Sequence, residues 1–216
     1  MQWKKISITL LLSISLILVF FTSSFSSVVY DKGLYDEQHE KNDVYSIFGK
    51  ETADIATDNL ISFFKEDEKL GDFFGEDEKS HLEDVKILFN KTFSLLYISL
   101  MTAMLSLIYL IWKKEYKSIS SGMIISGIFT IAIVLFFYIA QNNFSQIFQI
   151  FHKLFFTGNY TFDPAESNMI NLLPQSFFLN MAYIIFSYSI IKGLVSLVLG
   201  IGLKYYSGVK KTANLK

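Results

Sequence analysis

Four continuous apolar stretches divide the chain, at about Ile6–Val28, Lys91–Trp112, Gly122–Ala140 and Phe178–Leu203. Each is long enough to cross a hydrocarbon core of about 30 Å, which takes roughly 20 helical residues. The apolar positions run without alternation, which predicts helices rather than strands. Lipid offers no hydrogen bonds to the backbone, so only helices and closed barrels cross it. The predicted fold class is an all-α membrane protein: four transmembrane helices with a small, mostly helical extracytoplasmic cap. The expected organisation is a first span over 1–29, an acidic cap over 30–88 and spans two and three over 89–140. A re-entrant or interfacial loop follows over 141–177, then span four with a lysine-rich tail over 178–216.

Between the spans the pattern becomes amphipathic or irregular. Tyr30 to Asn42 reads as polar and irregular, and Asp43 to Glu66 as one or two amphipathic helices. Ile47, Phe48, Ile55, Leu60, Ile61, Phe63 and Phe64 supply their apolar side. Lys69 to Lys79 carries Phe73 and Phe74 between Gly71 and Gly75, the composition of a loop that dips aromatics into the membrane interface. A helix is expected from about Ser80 into span two, with Glu78, Glu83 and Asp84 in its first turns, where negative charge suits the helix dipole. Asn143 to Phe156 reads as an aromatic helix lying at the interface or folded back into the bundle. A turn-rich stretch from Thr157 to Pro164 follows, and Leu173-Pro174 ends a short apolar piece.

Charge orients the spans. Lys4 and Lys5 precede the first. Lys113, Lys114 and Lys117 separate the second from the third, and Lys204, Lys210, Lys211 and Lys216 follow the fourth. Four spans put all three groups on one side, which the positive-inside rule makes cytoplasmic. Both termini are then cytoplasmic and both long loops extracytoplasmic. The net charge of −1 hides an asymmetry, because residues 31–84 hold seventeen acidic residues against six lysines. Such a surface repels nucleic acid, so none is expected as a partner. The N-terminus has the outline of a signal peptide, but its apolar run is longer than a signal peptide's core and continues to Tyr30, which favours an uncleaved span. There is no cysteine, hence no disulfide framework and no thiol nucleophile.

The candidate chemistry lies in two histidine-bearing segments on the outer side, Glu78-Lys-Ser-His81-Leu-Glu-Asp84-Val85 and Phe151-His152-Lys-Leu-Phe-Phe. An imidazole exchanges a proton near neutral pH, so the pair suits proton transfer on a lipid-like substrate. His81 and Asp84 share a helix face. A carboxylate there raises the basicity of the ring, which makes Asp84 a supporting residue and favours His81 as base, with His152 as acid or oxyanion partner. Glu78 contributes if the helix begins early. His39, in a charged stretch without a helix signal, is expected to be incidental. The three histidines with Asp84 and Asp163 lack metal-ligand spacing, so no metal and no cofactor is expected. No G-x-S-x-G elbow supports serine chemistry.

These two segments, E-K-S-H-L-E-D-V at 78–85 and F-H-K-L-F-F-T-G-N-Y-T-F-D-P at 151–164, together with Leu173-Pro174-Gln-Ser-Phe-Phe178, resemble a bacterial four-span membrane family. It includes the lipoprotein intramolecular transacylase of Gram-positive bacteria. Tyr160 stands where members often carry tryptophan. The resemblance implies a plasma-membrane enzyme acting on diacylglyceryl-modified lipoproteins. It would move the sn-2 acyl chain to the free amine of the N-terminal cysteine, giving the lyso-form with no external acyl donor. His81 and His152 are the implied site residues, and lipoprotein and membrane lipid the implied partners. Two other classes remain open on sequence: a non-enzymatic membrane adaptor or chaperone, and a metal-dependent membrane hydrolase.

Overall fold

A computed structural model describes residues 2–66, 68–156, 158 and 160–213, with side chains through residue 207. Lys216 and the side chains of Lys210 and Lys211 therefore lie outside the described residues. In chain order the helices are α1 (Gln2–Val28), α2 (Lys32–Lys41), α3 (Val44–Phe48), α4 (Lys50–Glu66), α5 (Glu76–Trp112), α6 (Tyr116–Ala140), α7 (Phe144–Phe155), α8 (Asn168–Leu172) and α9 (Gln175–Ala213). Among the described residues there is no strand. Among the described residues four helical runs are long and apolar enough to cross a membrane: α1, α5, α9, and α6 continued through a single 3₁₀ turn into α7. The protein is a multi-pass, all-α membrane protein. The chain divides into two compact units, one of residues 1–25, 93–139 and 185–216, the other of 26–92 and 140–184.

The first unit holds most of the apolar length. Its helices pack through small residues, because lipid tails are as apolar as leucine and supply no drive to associate. A Cβ added to Gly127 of α6 would lie 2.6 Å from the Gly193 carbonyl of α9, and one added to Gly200 would meet Ile124 at 2.9 Å. Hydroxyls join the same two helices. Ser120 Oγ donates to the Gly200 carbonyl at 2.8 Å, and Ser126 and Ser196 share a hydrogen bond at 3.1 Å. Leu12, Ala103, Leu110 and Ile119 form a buried apolar cluster from α1, α5 and α6. Lys192, inside the last apolar span, donates from Nζ to Ser23 Oγ at 2.8 Å and to Ser24 Oγ at 2.9 Å. A cation at that depth is tolerated only with polar partners, and these serines supply them by pinning α9 to α1.

The second unit departs from expectation in three places. Tyr30–Asn42 is not irregular: α2 forms there, with the Asp31 side chain accepting from Leu34 N as its N-cap. Its buried face is Tyr35, Gln38 and His39, spaced i, i+3 and i+4. Two of these three are polar, so apolar periodicity does not reveal the helix. His39 is not in an exposed charged stretch but on α2 and fully buried, ringed by Tyr35, Tyr45 and Phe177 at 5.8–6.4 Å between centroids. Neither of its ring nitrogens has a hydrogen-bond partner of good geometry, although the Leu172 carbonyl lies near enough to favour the charged ring. Phe73 and Phe74 do not dip outward. Phe74 is buried, and Phe73 packs against it and against Phe48. Of the one or two amphipathic helices expected over Asp43–Glu66, two are present as α3 and α4, separated by Gly49 at φ 74°. They bury Ala53, Leu60, Phe63 and Phe64, while Ile47 and Ile55 are exposed.

Burial pushes the His39 pKa below its ordinary value, outweighing Asp36 and Asp54, whose charges pull it up. The unfolded chain then takes up the His39 proton first. Its neutral burial is stabilising above about pH 6.5, and that contribution falls as pH drops below it. In thermal denaturation of the full chain, His39→Phe is expected to stay close to the parent and to lose this acid-side slope. His39→Asp leaves an unpaired buried charge and is expected to cost roughly 3–5 kcal/mol. A Tm for His39→Asp equal to that of His39→Phe would contradict the burial.

Candidate active site

The second unit brings the two sequence-predicted histidines together. His81, on the second turn of α5, and His152, near the end of α7, lie with ring centroids 6.0 Å apart and planes 17° from parallel. The sequence places them 71 positions apart, so this contact is made by the fold alone. Phe156 and Phe162 close around His81 at 4.9 and 5.6 Å, leaving it 7% exposed. Tyr160 stands 5.7 Å from His152, so the aromatic slot of the second motif is a wall of this site. Thr157 and Asn159 of that motif lie outside the described residues.

Each ring is held by its helix. In α7, Phe144, Phe148 and His152 recur every fourth residue and are the partly covered face. Ile147, Ile150, Phe151, Leu154 and Phe155 are exposed, as an interfacial helix requires. His152 Nδ1 lies 2.7 Å from the Phe148 carbonyl. A carbonyl only accepts, so Nδ1 carries the proton and the neutral ring keeps its lone pair on Nε2. For His81 the surroundings favour the opposite tautomer. Its Nδ1 is buried with no partner. A bare acceptor is less costly to bury than an orphaned N–H, so the proton belongs on Nε2. One ring presents an acceptor and the other a donor.

The loop carrying Phe156 and Phe162 is anchored by Glu78, which is 5% exposed. α5 starts at Glu76, earlier than expected, and Glu78 sits in its first turn. One carboxylate oxygen accepts from Gly75 N at 2.8 Å, capping the helix. The other accepts from Ser167 Oγ at 2.5 Å and from Met169 N at 2.9 Å, at the start of α8. Ser167 Oγ also caps α8 through Ile170 N. Asp163, weighed as a metal ligand on sequence, instead shapes the turn before α8, where Ala165 N donates to its carboxylate at 2.9 Å. Sequence reasoning reached Glu78 only as a first-turn acid and a possible aid to His81. Its pairing with Ser167, 89 residues away, has no local signal.

Asp84 is exposed and makes no hydrogen bond to His81, though its charge acts on the ring. Gly158 brings the loop beside it, since a Cβ there would lie 3.8 Å from Asp84 Oδ2. No group of three His, Asp or Glu among the described residues is arranged to hold a metal ion. Residues 76–86 carry Glu76, Asp77, Glu78, Lys79, Glu83, Asp84 and Lys86, so His81 precedes the apolar part of α5. Its pKa is lowered below 6.5, first by burial and then by repulsion from His152, with Asp84 pulling the other way. The ring is therefore neutral at pH 7. In an imidazole-labelled NMR titration, His81 is expected to titrate below 6.5. Asp84→Asn should move it further down and His152→Asn should move it up. A His81 midpoint above 7, or an Asp84→Asn shift upward, would overturn this balance of charges.

Comparison with known proteins places this geometry in a family. The family model described as "Lipoprotein intramolecular transacylase Lit" matches residues 10–178. No curated protein sequence matches the chain. A solved structure of the membrane integral lipoprotein intramolecular transacylase Lit from Bacillus cereus has a TM-score of 0.83 at 28% identity, covering 97% of this chain and 100% of that one. Two further structures of the Bacillus cereus protein carry a histidine replaced by arginine or alanine. They give TM-scores of 0.78 and 0.80 at 28% identity, covering 100% and 96% of this chain and 96% and 97% of theirs. With the match spanning most of its length, the chain belongs to the lipoprotein intramolecular transacylase Lit family.

Proposed function

We propose that this protein moves an acyl chain within a diacylglyceryl-modified lipoprotein, from the sn-2 glycerol oxygen to the free amine of the N-terminal cysteine. The stacking of His81 on His152, with His152 Nδ1 held by the Phe148 carbonyl, is the observation that carries this reading. Family membership supports it.

The reaction forms one N–C bond and breaks one C–O bond. The amine gives up a proton and the departing glycerol oxygen takes one, so neither water nor a second acyl donor enters the balance. His152 Nε2, with its lone pair free and Nδ1–H held by Phe148, takes the amine proton during attack and returns it to the leaving oxygen. His81 stays neutral and donates from Nε2–H to the tetrahedral oxyanion, as a preorganised dipole in a dry site. Repulsion between the rings disfavours a second proton on the pair, which suits a one-proton shuttle. This division of roles is the reverse of the one Asp84 suggests, because the hydrogen bond to Phe148 orients His152 directly while Asp84 acts on His81 only through its charge. Donor and acceptor belong to one anchored molecule, so proximity supplies much of the rate. The aromatic surroundings of the rings suit a lipid rather than a hydrated substrate. A metal-dependent hydrolase would need a third ligand where the rings meet phenylalanine and tyrosine.

Two substrates, one labelled in its acyl chains and one in its peptide, test the reaction by mass spectrometry. The labels should stay apart in the N-acylated product. Scrambling would indicate an intermolecular enzyme, and free fatty acid without N-acyl product a hydrolase. In the same assay His152→Asn should lose about 10²-fold or more. His81→Gln keeps an N–H donor and should lose less than His81→Ala. Equal activity of all three with the parent would remove both rings from the mechanism.

The same reading places loops 30–88 and 141–177 outside the plasma membrane and both termini inside, on the strength of the lysine pattern. The chain has no cysteine, so single replacements report position cleanly. Lys69→Cys and Ala165→Cys should react with an impermeant thiol reagent on intact cells, and Lys114→Cys only after lysis. The inverse pattern would reverse the orientation.

A further inference from the structure

A cleft of about 300 Å³ opens within the first unit between α1 and α6. Its polar end holds Lys5 and Lys117, and its apolar walls are Ile6, Leu10 and Ile125. Lys117, Ser121 and Ile125 are spaced i, i+4 and i+8, so they descend one face of α6 over about 12 Å. That face passes from charge to hydroxyl to hydrocarbon. On α1 the same order runs from Lys5 to Leu10. Lys5 pairs with Glu115 at 2.5 Å, whereas Lys117 has no ion pair among the described residues. Lys4, Lys113 and Lys114 lie close in sequence, so five lysines face a single carboxylate in this region. Ile6 and Leu10 are each nearly half exposed.

Water-soluble anions would leave the lower walls uncovered, and a neutral lipid would leave Lys117 without a counter-charge. We propose that this cleft binds one anionic glycerophospholipid, its phosphate between Lys5 and Lys117, its ester region at Ser121 and an acyl chain along Ile6, Leu10 and Ile125. The volume is at the small end of ligand sites. It accommodates the head and the first part of one chain, while the remainder stays in the bilayer. The transacylase substrate is joined through a thioether and carries no phosphate at its glycerol, so this is a second lipid site, independent of the activity proposed above.

The test is native mass spectrometry of the purified full chain with equal amounts of phosphatidylglycerol and phosphatidylcholine bearing identical chains. One phosphatidylglycerol should be retained per chain, at about tenfold preference. The double variant Lys5→Gln with Lys117→Gln should lose that preference. Ser121→Phe fills the cleft without changing charge, so it should lose retention even if the double variant does not fold. Lys113→Gln, whose ammonium lies over the Trp112 ring, should keep it. Equal retention of both lipids by the parent, or an unchanged preference in Ser121→Phe, would overturn the proposal. Displacement by an equal concentration of glycerol 3-phosphate would mark a phosphate site rather than a lipid site and overturn it equally.

Discussion

Lipid supplies neither hydrogen bonds to a helix nor a hydrophobic force between helices, and the first unit is built around that lack. With burial of apolar surface ineffective, close backbone approach and hydroxyl contacts must hold α6 to α9. Gly127 and Gly193 permit the approach, and Ser120, Ser126 and Ser196 use it. The same logic explains Lys192. In water it would be an ordinary surface cation. Here it is tolerable only because Ser23 and Ser24 accept two of its three protons, which turns a costly residue into a fixed link between α9 and α1.

The second unit solves a different problem, since most of its residues are short helices with polar connections. A few buried polar side chains with several partners fix its order. Glu78 joins the start of α5 to the start of α8 through three donors, so the loop between α7 and α8 is tied at one end by Ser167 and Met169. That tie holds Phe156 and Phe162 against His81. Asn180 donating to Gln38 at 2.7 Å joins α9 to α2 in the same manner. A satisfied buried carboxylate specifies position more sharply than an apolar contact, because misplacing it leaves a charge unpaired.

The spans were legible because twenty apolar residues in a row have few other meanings. The histidine pair was legible as two motifs but not as a contact, since nothing local says that residues 81 and 152 meet. α2 escaped because its buried face is a tyrosine, a glutamine and a histidine, which carry no apolar period. His39 escaped with it. Glu78 was visible as a first-turn acid, a place where the dipole alone accounts for it, and only the long-range bond to Ser167 reveals its second role. Lys192 was hidden by the hydrophobicity of its neighbours. Asp84, three residues from His81, shares its face and raises its basicity as expected, but it stays exposed and burial is the larger effect on the ring.

The two imidazoles are chemically identical side chains made different by one hydrogen bond and one degree of burial. The Phe148 carbonyl fixes the proton of His152 on the inner nitrogen and leaves the outer one basic. Desolvation holds His81 neutral, and its unpartnered inner nitrogen sends the proton to the outer one. An acyl shift from oxygen to nitrogen needs these two properties at once, a base for the amine and a donor for the oxyanion. The consequence for evolution of the site is asymmetric. Under the proposed mechanism, a replacement at position 81 that preserves a donor retains part of the function, whereas position 152 has to accept a proton from the amine, which no amide side chain does.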